Sequence, residues 1–244
     1  MSNQMDDENS STPGEDTYSG LKHLALIMDG NRRWAKSQNL TPSQGHSAGF
    51  DNFESLVKDV FSMNIPFLSA YAFSAQNWNR SKAEVSFLMK LFENKLISAT
   101  KEYIKQGIRI RFIGRKYNFS KSLQNKMANV ENDSKHLNKH NLCILIDYGG
   151  QEEIVDAINN IISSDSKIKK ITIDDINSHL YAPDIPPPDL IVRTSGERRL
   201  SNFWLWQSSY AELYFTPTLF PALRISEIKE ICDDYEKRNR RFGV

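Results

Sequence analysis

Apolar positions along this chain alternate between short dense runs and longer stretches at helical spacing, the pattern of strands exchanged with helices. Lys22 to Met28 is a short apolar run closed by Asp29-Gly30, after which Phe50, Phe53, Leu56, Val57, Val60 and Phe61 recur at helical spacing. This predicts strand, loop, helix. Pro66 to Phe73 reads as a second strand, and Ser81-Lys82-Ala83-Glu84 has the spacing of a reciprocal capping box. The long helix it opens carries Val85, Leu88, Met89, Phe92, Leu96, Ala99 and Tyr103 on one face and ends at Gly107. Ile108, Ile110 and Phe112 alternate with Arg109 and Arg111, which predicts a third strand near a sheet edge.

A helix around Ser120 to Asn132 leads to a fourth strand, Leu142 to Tyr148, broken by Gly149-Gly150. Helices at Glu152 to Ile162 and Asp174 to Leu180, a strand at Asp189 to Arg193, a strand at Ala211 to Phe215 and a last helix from Ser226 complete the pattern. The expected fold is a single α/β domain with a six-stranded, mostly parallel sheet flanked by helices. Ligands collect at the carboxyl ends of such strands. The polar motifs Met28-Asp29-Gly30-Asn31-Arg32-Arg33-Trp34, Ser74-Ala75-Gln76-Asn77-Trp78-Asn79-Arg80, Arg193 to Ser201 and Glu212 are expected at those ends, around one shared site.

Composition narrows the class. Residues 1–20 contain five acids and no Lys or Arg, which leaves +6 on residues 21–244 against a formal total of +1. The tail is expected to be disordered, with residues 21–244 as one folded domain. It lacks the apolar core of a signal peptide, and no run approaches a membrane span. The protein therefore reads as soluble, in the cytoplasm or, if a longer precursor was trimmed, in an organelle. The basic excess is modest and accompanies no nucleic-acid motif. Cys143 and Cys232 belong to no metal-like pair and read as buried reduced thiols.

The chemistry concentrates on anions. Arginine presents a donor fork matched to phosphate oxygens, and an aspartate beside it repels the same anion unless a cation sits between them. Asp29 next to Arg32 and Arg33 points to a magnesium-bridged diphosphate, and Arg193 with Arg199 and Ser201 to a second one. Plainer readings stand beside these. Asp29-Gly30 alone is a turn signal, Arg198 and Arg199 can form a solvated pair, and His46 can be a loop histidine. Asn202 to Trp206 reads as core. Glu212 interrupts a strand pattern, and a buried acid there needs a cation or a hydrogen-bonding partner. The apolar face around Leu88, Phe92 and Leu96 is either core or the wall of a hydrocarbon tunnel. No Walker loop or dinucleotide glycine fingerprint occurs.

The stretches His23 to Ala35, Arg193 to Phe203 and Ala211-Glu212-Leu213-Tyr214-Phe215 resemble the cis-prenyltransferases, the family of undecaprenyl diphosphate synthase and its plant relatives. The resemblance runs from about Leu21 to Val244. It implies a homodimeric enzyme acting on isoprenoid diphosphates, with a hydrophobic tunnel between sheet and helices. Asp29 would hold Mg²⁺ on the allylic diphosphate, with Gly30, Asn31, Arg32 and Arg33 around its oxygens and Trp34 in the same motif. His46, Ser74, Asn77 and Arg80 match positions around the reacting diphosphates, with Trp78 beside them. Asn77 is the expected catalytic partner of Asp29, orienting a diphosphate or a proton-accepting water. Arg193, Arg199 and Ser201 match the homoallylic site, Glu212 a second metal position contributed across the dimer, and Arg241-Phe242-Gly243 a carboxyl-terminal R-x-G element.

Three departures from the family pattern stand out. Thr41-Pro42-Ser43 lacks an arginine before Gly45-His46, Gln76 replaces an acid, and Asp147-Tyr148-Gly149-Gly150-Gln151 stands for N-Y-G-G-R. They direct the expectation to a short-chain, plant-type synthase joining two dimethylallyl diphosphates head to middle, as lavandulyl diphosphate synthases do. The alternatives are a regular cis-polyprenyl synthase using isopentenyl diphosphate and a non-catalytic partner subunit.

Overall fold

The computed structural model describes residues 18, 20–164 and 168–238. The acidic tail therefore lies outside the described residues apart from Tyr18 and Gly20, as do Arg241 and Gly243. Six strands, β1 (His23–Ile27), β2 (Phe67–Ser74), β3 (Ile108–Ile113), β4 (His140–Tyr148), β5 (Leu190–Arg193) and β6 (Glu212–Phe215), form one sheet. Their order is β3-β4-β2-β1-β5-β6, and every neighbouring pair is parallel. The predicted edge position of β3 holds, with Arg109 and Arg111 half-buried between the buried Ile108, Ile110 and Phe112.

Alternate side chains of β1 serve two cores, as a period of two requires. Leu24 and Leu26 face a cluster with Phe53, Val57, Leu88, Phe92 and Ile228, while Ala25 and Ile27 face Phe203, Trp204, Ala182 and Ile185. Both faces are covered, so the central strands read as unbroken apolar runs. Cys143 and Cys232 are free and buried, and burial pushes both thiols up to about 12.

Eight α-helices are present among the described residues. The segment expected as a loop after β1 holds α1 (Asn31–Ser37), and α2 (Pro42–Ser62) starts earlier than the phenylalanine pattern indicated. Thr41 caps α2 in a reciprocal box with Gln44, and Pro42 occupies the first turn, where its missing N–H costs nothing. The long helix after β2 has three parts, α3 (Lys82–Leu91), a π-helical turn Phe92–Leu96 and α4 (Ile97–Lys105), and Gly107 ends it at positive φ. Helices α5 (Lys121–Ser134), α6 (Gly150–Ser164), α7 (Ile173–His179) and α8 (Ile225–Glu236) match the predicted segments.

His23 is fully buried, with Nδ1 2.7 Å from the Pro186 carbonyl and Nε2 2.7 Å from Ser69 Oγ. A carbonyl only accepts, so Nδ1 carries the proton and Nε2 accepts from the serine hydroxyl. Burial lowers its pKa from 6.5 to about 4 against the raising effects of Pro186 and Asp189. The unfolded chain then binds a proton that the folded chain refuses, so stability is full above the unfolded value and falls with pH down to the folded one. The loss should be on the order of 3 kcal/mol. Urea unfolding between pH 7.5 and 4 should show it, and His23→Gln should remove that part of the slope.

Candidate active site

Register brings the site together. Ile27 of β1 pairs with Arg193 of β5, so Asp29 and the Arg193 side chain emerge side by side at the carboxyl ends. Arg193 is 4% exposed, and one Nη donates to Asp29 Oδ2 at 2.8 Å. Its other Nη donates to the Arg199 carbonyl at 2.6 Å and to Ser201 Oγ at 2.7 Å. Arg33 Nη2 approaches Asp29 Oδ1 at 3.4 Å, and the Arg33 guanidinium also donates to the carbonyl and hydroxyl of Ser195. Burial pushes the Asp29 carboxyl up, but the hydrogen bond and charge of Arg193, with Arg33 and the Gly30 N–H, outweigh it and hold it below its ordinary value. Thr194 completes the joint, its Oγ1 accepting the Asp29 N–H at 2.9 Å and donating to the Asp29 carbonyl at 2.6 Å.

Glycines let α1 seat here. Gly30 caps it at φ 107 with Leu219 and Ser195 too close for a side chain. A Cβ on Gly45 would stand 2.3 Å from the Asn31 carbonyl oxygen, and one on Gly49 2.1 Å from Asn31 Oδ1. Gly45→Ala should therefore drive α1 off α2, costing about 1–3 kcal/mol and moving Asn31, Arg32 and Arg33 together. A thermal melt with diphosphate-binding measurements would check this; unchanged stability and affinity would contradict it.

His46 lies on α2, not in a loop, with its side chain 10% exposed and Nε2 3.2 Å from Glu84. Glu84 also accepts from Arg80 at 2.8 Å and lies 3.8 Å from Arg32, so one carboxylate gathers three groups from three elements. This corrects the capping box: Ser81 accepts the Glu84 N–H at 3.3 Å, while the Glu84 carboxylate serves Arg80 and His46. Burial first, then the charges of Arg80 and Arg32, lower the His46 pKa against the pull of Glu84.

An open cleft of about 760 Å³ is lined by Asp29, Gly30, Asn31, Arg32, Arg33, His46 and Arg80 among others. An adjoining cavity of about 230 Å³ brings in Tyr71, Ser74, Asn77, Arg193 and Ser201. Behind them a cavity of about 70 Å³ is walled by Phe50, Phe53, Leu88, Leu91, Phe92, Leu96 and Phe220. These apolar residues are thus both core and cavity wall. Asn31 Oδ1 and Arg193 Nε are buried without a protein partner, and both residues line the central cavity.

Some expected members stand elsewhere. Trp34 is half-buried on α1 and absent from these linings; Trp78 donates Nε1 to Asp147 at 2.7 Å and packs on Phe73 and Phe119. The Arg199 guanidinium pairs with Glu197, which also binds Arg33, but both Arg198 and Arg199 are exposed, so the solvated-surface reading stands for their side chains. Glu212 begins β6 opposite Leu190, at the amino end of the sheet and away from Asp29 within this chain. It is part-exposed and paired with Arg238 at 2.8 Å, which corrects its placement at a carboxyl end and its reading as a buried acid. Phe203 and Trp204 are core, as expected. Sequence reasoning missed Glu84, Glu197 and Thr194 as site members.

A basic cleft opening onto an apolar chamber at the carboxyl edge of a parallel sheet defines a protein for ligands with an anionic head and a hydrocarbon tail. Comparison agrees. Residues 27–243 match the family model described as putative undecaprenyl diphosphate synthase. The isoprenyl transferase of Rickettsia felis is 47% identical over 91% of this chain and 94% of its own length, and that of Thermotoga maritima 42% identical over 91% and 96%. Lavandulyl diphosphate synthase from Lavandula x intermedia, solved in complex with dimethylallyl diphosphate, superposes with a TM-score of 0.87 at 35% identity, covering 92% of this chain and 98% of that one. A probable undecaprenyl diphosphate synthase from Campylobacter jejuni gives 0.78 at 34% identity, covering 93% and 100%. The chain belongs to the undecaprenyl diphosphate synthase family and is a prenyl-transferring enzyme, a cis-prenyltransferase. Among the described residues no helix is long and apolar enough to cross a membrane.

Proposed function

We propose that this enzyme joins isopentenyl diphosphate head to tail onto an allylic diphosphate with Mg²⁺, releasing diphosphate. The observation that carries the reading is the Asp29 carboxylate clamped by Arg193 and Arg33 where the basic cleft meets the apolar chamber. The family model described as putative undecaprenyl diphosphate synthase, matched over residues 27–243, supports this reading; the lavandulyl diphosphate synthase at 35% identity and a TM-score of 0.87 keeps the head-to-middle reaction as the second reading. The non-catalytic subunit is disfavoured because Asp29, Arg33, Arg193 and Arg199 are all retained.

No group of three or more His, Cys, Asp or Glu side chains gathers among the described residues. A lone carboxylate facing a diphosphate cleft nonetheless suits Mg²⁺, which commonly takes one or two carboxylates and completes its shell with phosphate oxygens and water. Asp29 would hold it, and Glu212 would join only from a second copy of the chain, in a homodimer. Bound Mg²⁺ supplies neutralising charge to the leaving diphosphate.

Arg32, Arg33, Arg80 and His46 bind the allylic diphosphate, and its hydrocarbon enters the chamber behind Asn31. Arg193 and Ser201 hold the second diphosphate, with Arg199 completing the set. The allylic C–O bond breaks with its electron pair leaving on diphosphate, the homoallylic alkene forms the new C–C bond, and a proton departs from the adjacent carbon. Asn77 orients the diphosphate or water that receives it. Fixed donors favour the state in which charge has moved onto diphosphate.

Purified protein given Mg²⁺ and dimethylallyl diphosphate should elongate only when isopentenyl diphosphate is added, and not after chelation. Product from dimethylallyl diphosphate alone would replace this reading with the head-to-middle one.

A further inference from the structure

Asp147 is 2% exposed at the end of β4 and sits at φ 47, in the left-handed region. Its carboxylate accepts two neutral donors, Trp78 Nε1 at 2.7 Å and Asn118 Nδ2 at 2.8 Å. Its carbonyl accepts the Arg115 N–H at 3.1 Å, and Gly114 leaves the space this needs, since a Cβ there would lie 2.2 Å from the Ile146 carbonyl oxygen. Three segments therefore converge on one buried residue: the end of β4, the loop after β3, and the 3-10 turn Ala75–Asn79.

That turn matters because Ser74, Asn77 and Arg80, at its start, within it and just after it, line the central cavity. Its start is held by the sheet, where Ser74 pairs with Tyr148 of β4, but beyond that the turn's side-chain tie to the neighbouring α6 is Gln76 Nε2 to Glu152 at 3.3 Å, which is longer and exposed. The indole ring is wedged between Phe73 and Phe119, with centroids 5.0 and 5.6 Å away, so the Asp147 bond fixes a ring that packing already confines.

We infer that Asp147 is a positioning residue that latches the 74–80 segment through the Trp78 indole, and so sets where Asn77 and Arg80 meet a diphosphate. The inference rests on the proposed function for the meaning of that contact. A carboxylate bound only by neutral donors is worth more to such a latch than a neutral acceptor, because hydrogen bonds to charged groups are the stronger kind.

The test compares wild type with Asp147→Gly, Asp147→Asn, Trp78→Phe and the Asp147→Gly/Trp78→Phe double variant. Glycine keeps the left-handed backbone without strain and deletes the carboxylate, while asparagine keeps an acceptor for the indole. Inorganic pyrophosphate affinity is measured by calorimetry, and Trp78 emission is taken as the difference from Trp78→Phe. Asp147→Gly should weaken pyrophosphate about tenfold, the worth of one such bond, and shift Trp78 emission to the red. Asp147→Asn, which keeps one neutral acceptor, should fall between wild type and Asp147→Gly, and the double variant should bind no worse than the weaker single one. A folded Asp147→Gly with wild-type emission and affinity would overturn the latch, as would losses that multiply in the double variant. Failure of the wild type to elongate a prenyl chain would instead remove the proposed reaction and leave both readouts standing.

Discussion

Asp29→Asn should leave the protein folded and lower kcat/KM for prenyl transfer by about 10³-fold, roughly 4 kcal/mol of transition-state stabilisation. Asparagine keeps an acceptor for Arg193, so the buried guanidinium retains its bond and the melt should move little. The negative charge disappears, and with it the means of holding a divalent cation against diphosphate. Asp29→Ala should be as inactive but less stable, because the Arg193 Nη2 that donates to Asp29 at 2.8 Å would lose its acceptor. Steady-state kinetics beside thermal melts separate the effects. Turnover near wild type in Asp29→Asn would end the metal assignment.

Arg193→Lys should be nearly as damaging despite conserving charge. The arginine fork serves Asp29, the Arg199 carbonyl and Ser201 at once from a side chain 4% exposed. A lysine ammonium is a point charge without that planar spread, so about two of the acceptors should lose their partner, at about 1 kcal/mol each. Ser195, Ser201 and Asn202 hold positive φ in the loop that Arg193 pins, so loss of those bonds should loosen the second diphosphate site as well. The expected outcome is a fall of about 10²-fold in kcat/KM, expressed mostly in KM for isopentenyl diphosphate, and a stability loss of about 2 kcal/mol. Equal KM values for lysine and arginine enzymes would falsify this role.

Much of the fold was legible along the chain because its signals are local. A two-residue period marks β3, unbroken apolar runs mark strands covered on both faces, and 3.6-residue spacing marks α2 to α5. Alternation of these elements implies a parallel sheet, and the carboxyl-end rule then places Asp29, Asn77 and Arg193 near one another. Signals were also present and passed over: Thr41-Pro42-Ser43-Gln44 is a capping box with proline in the first turn, which would have moved the start of α2 ahead of Gly45-His46.

What lay beyond reach involves partners distant in sequence. Glu84 meets His46 across 38 residues, and Arg33 meets Ser195 across 162. Nothing in the capping spacing around Ser81 reveals that its glutamate will turn toward arginines on other elements. Strand direction, not composition, put Glu212 at the far end of β6 from Phe215, which pairs with Arg193. By itself the sequence determined the elements, the parallel α/β class and the anion-binding character of the loops, since periodicity and residue chemistry are properties of short windows. Only the tertiary structure decided which carboxylates face which arginines, because ion pairing and desolvation depend on distances that packing sets.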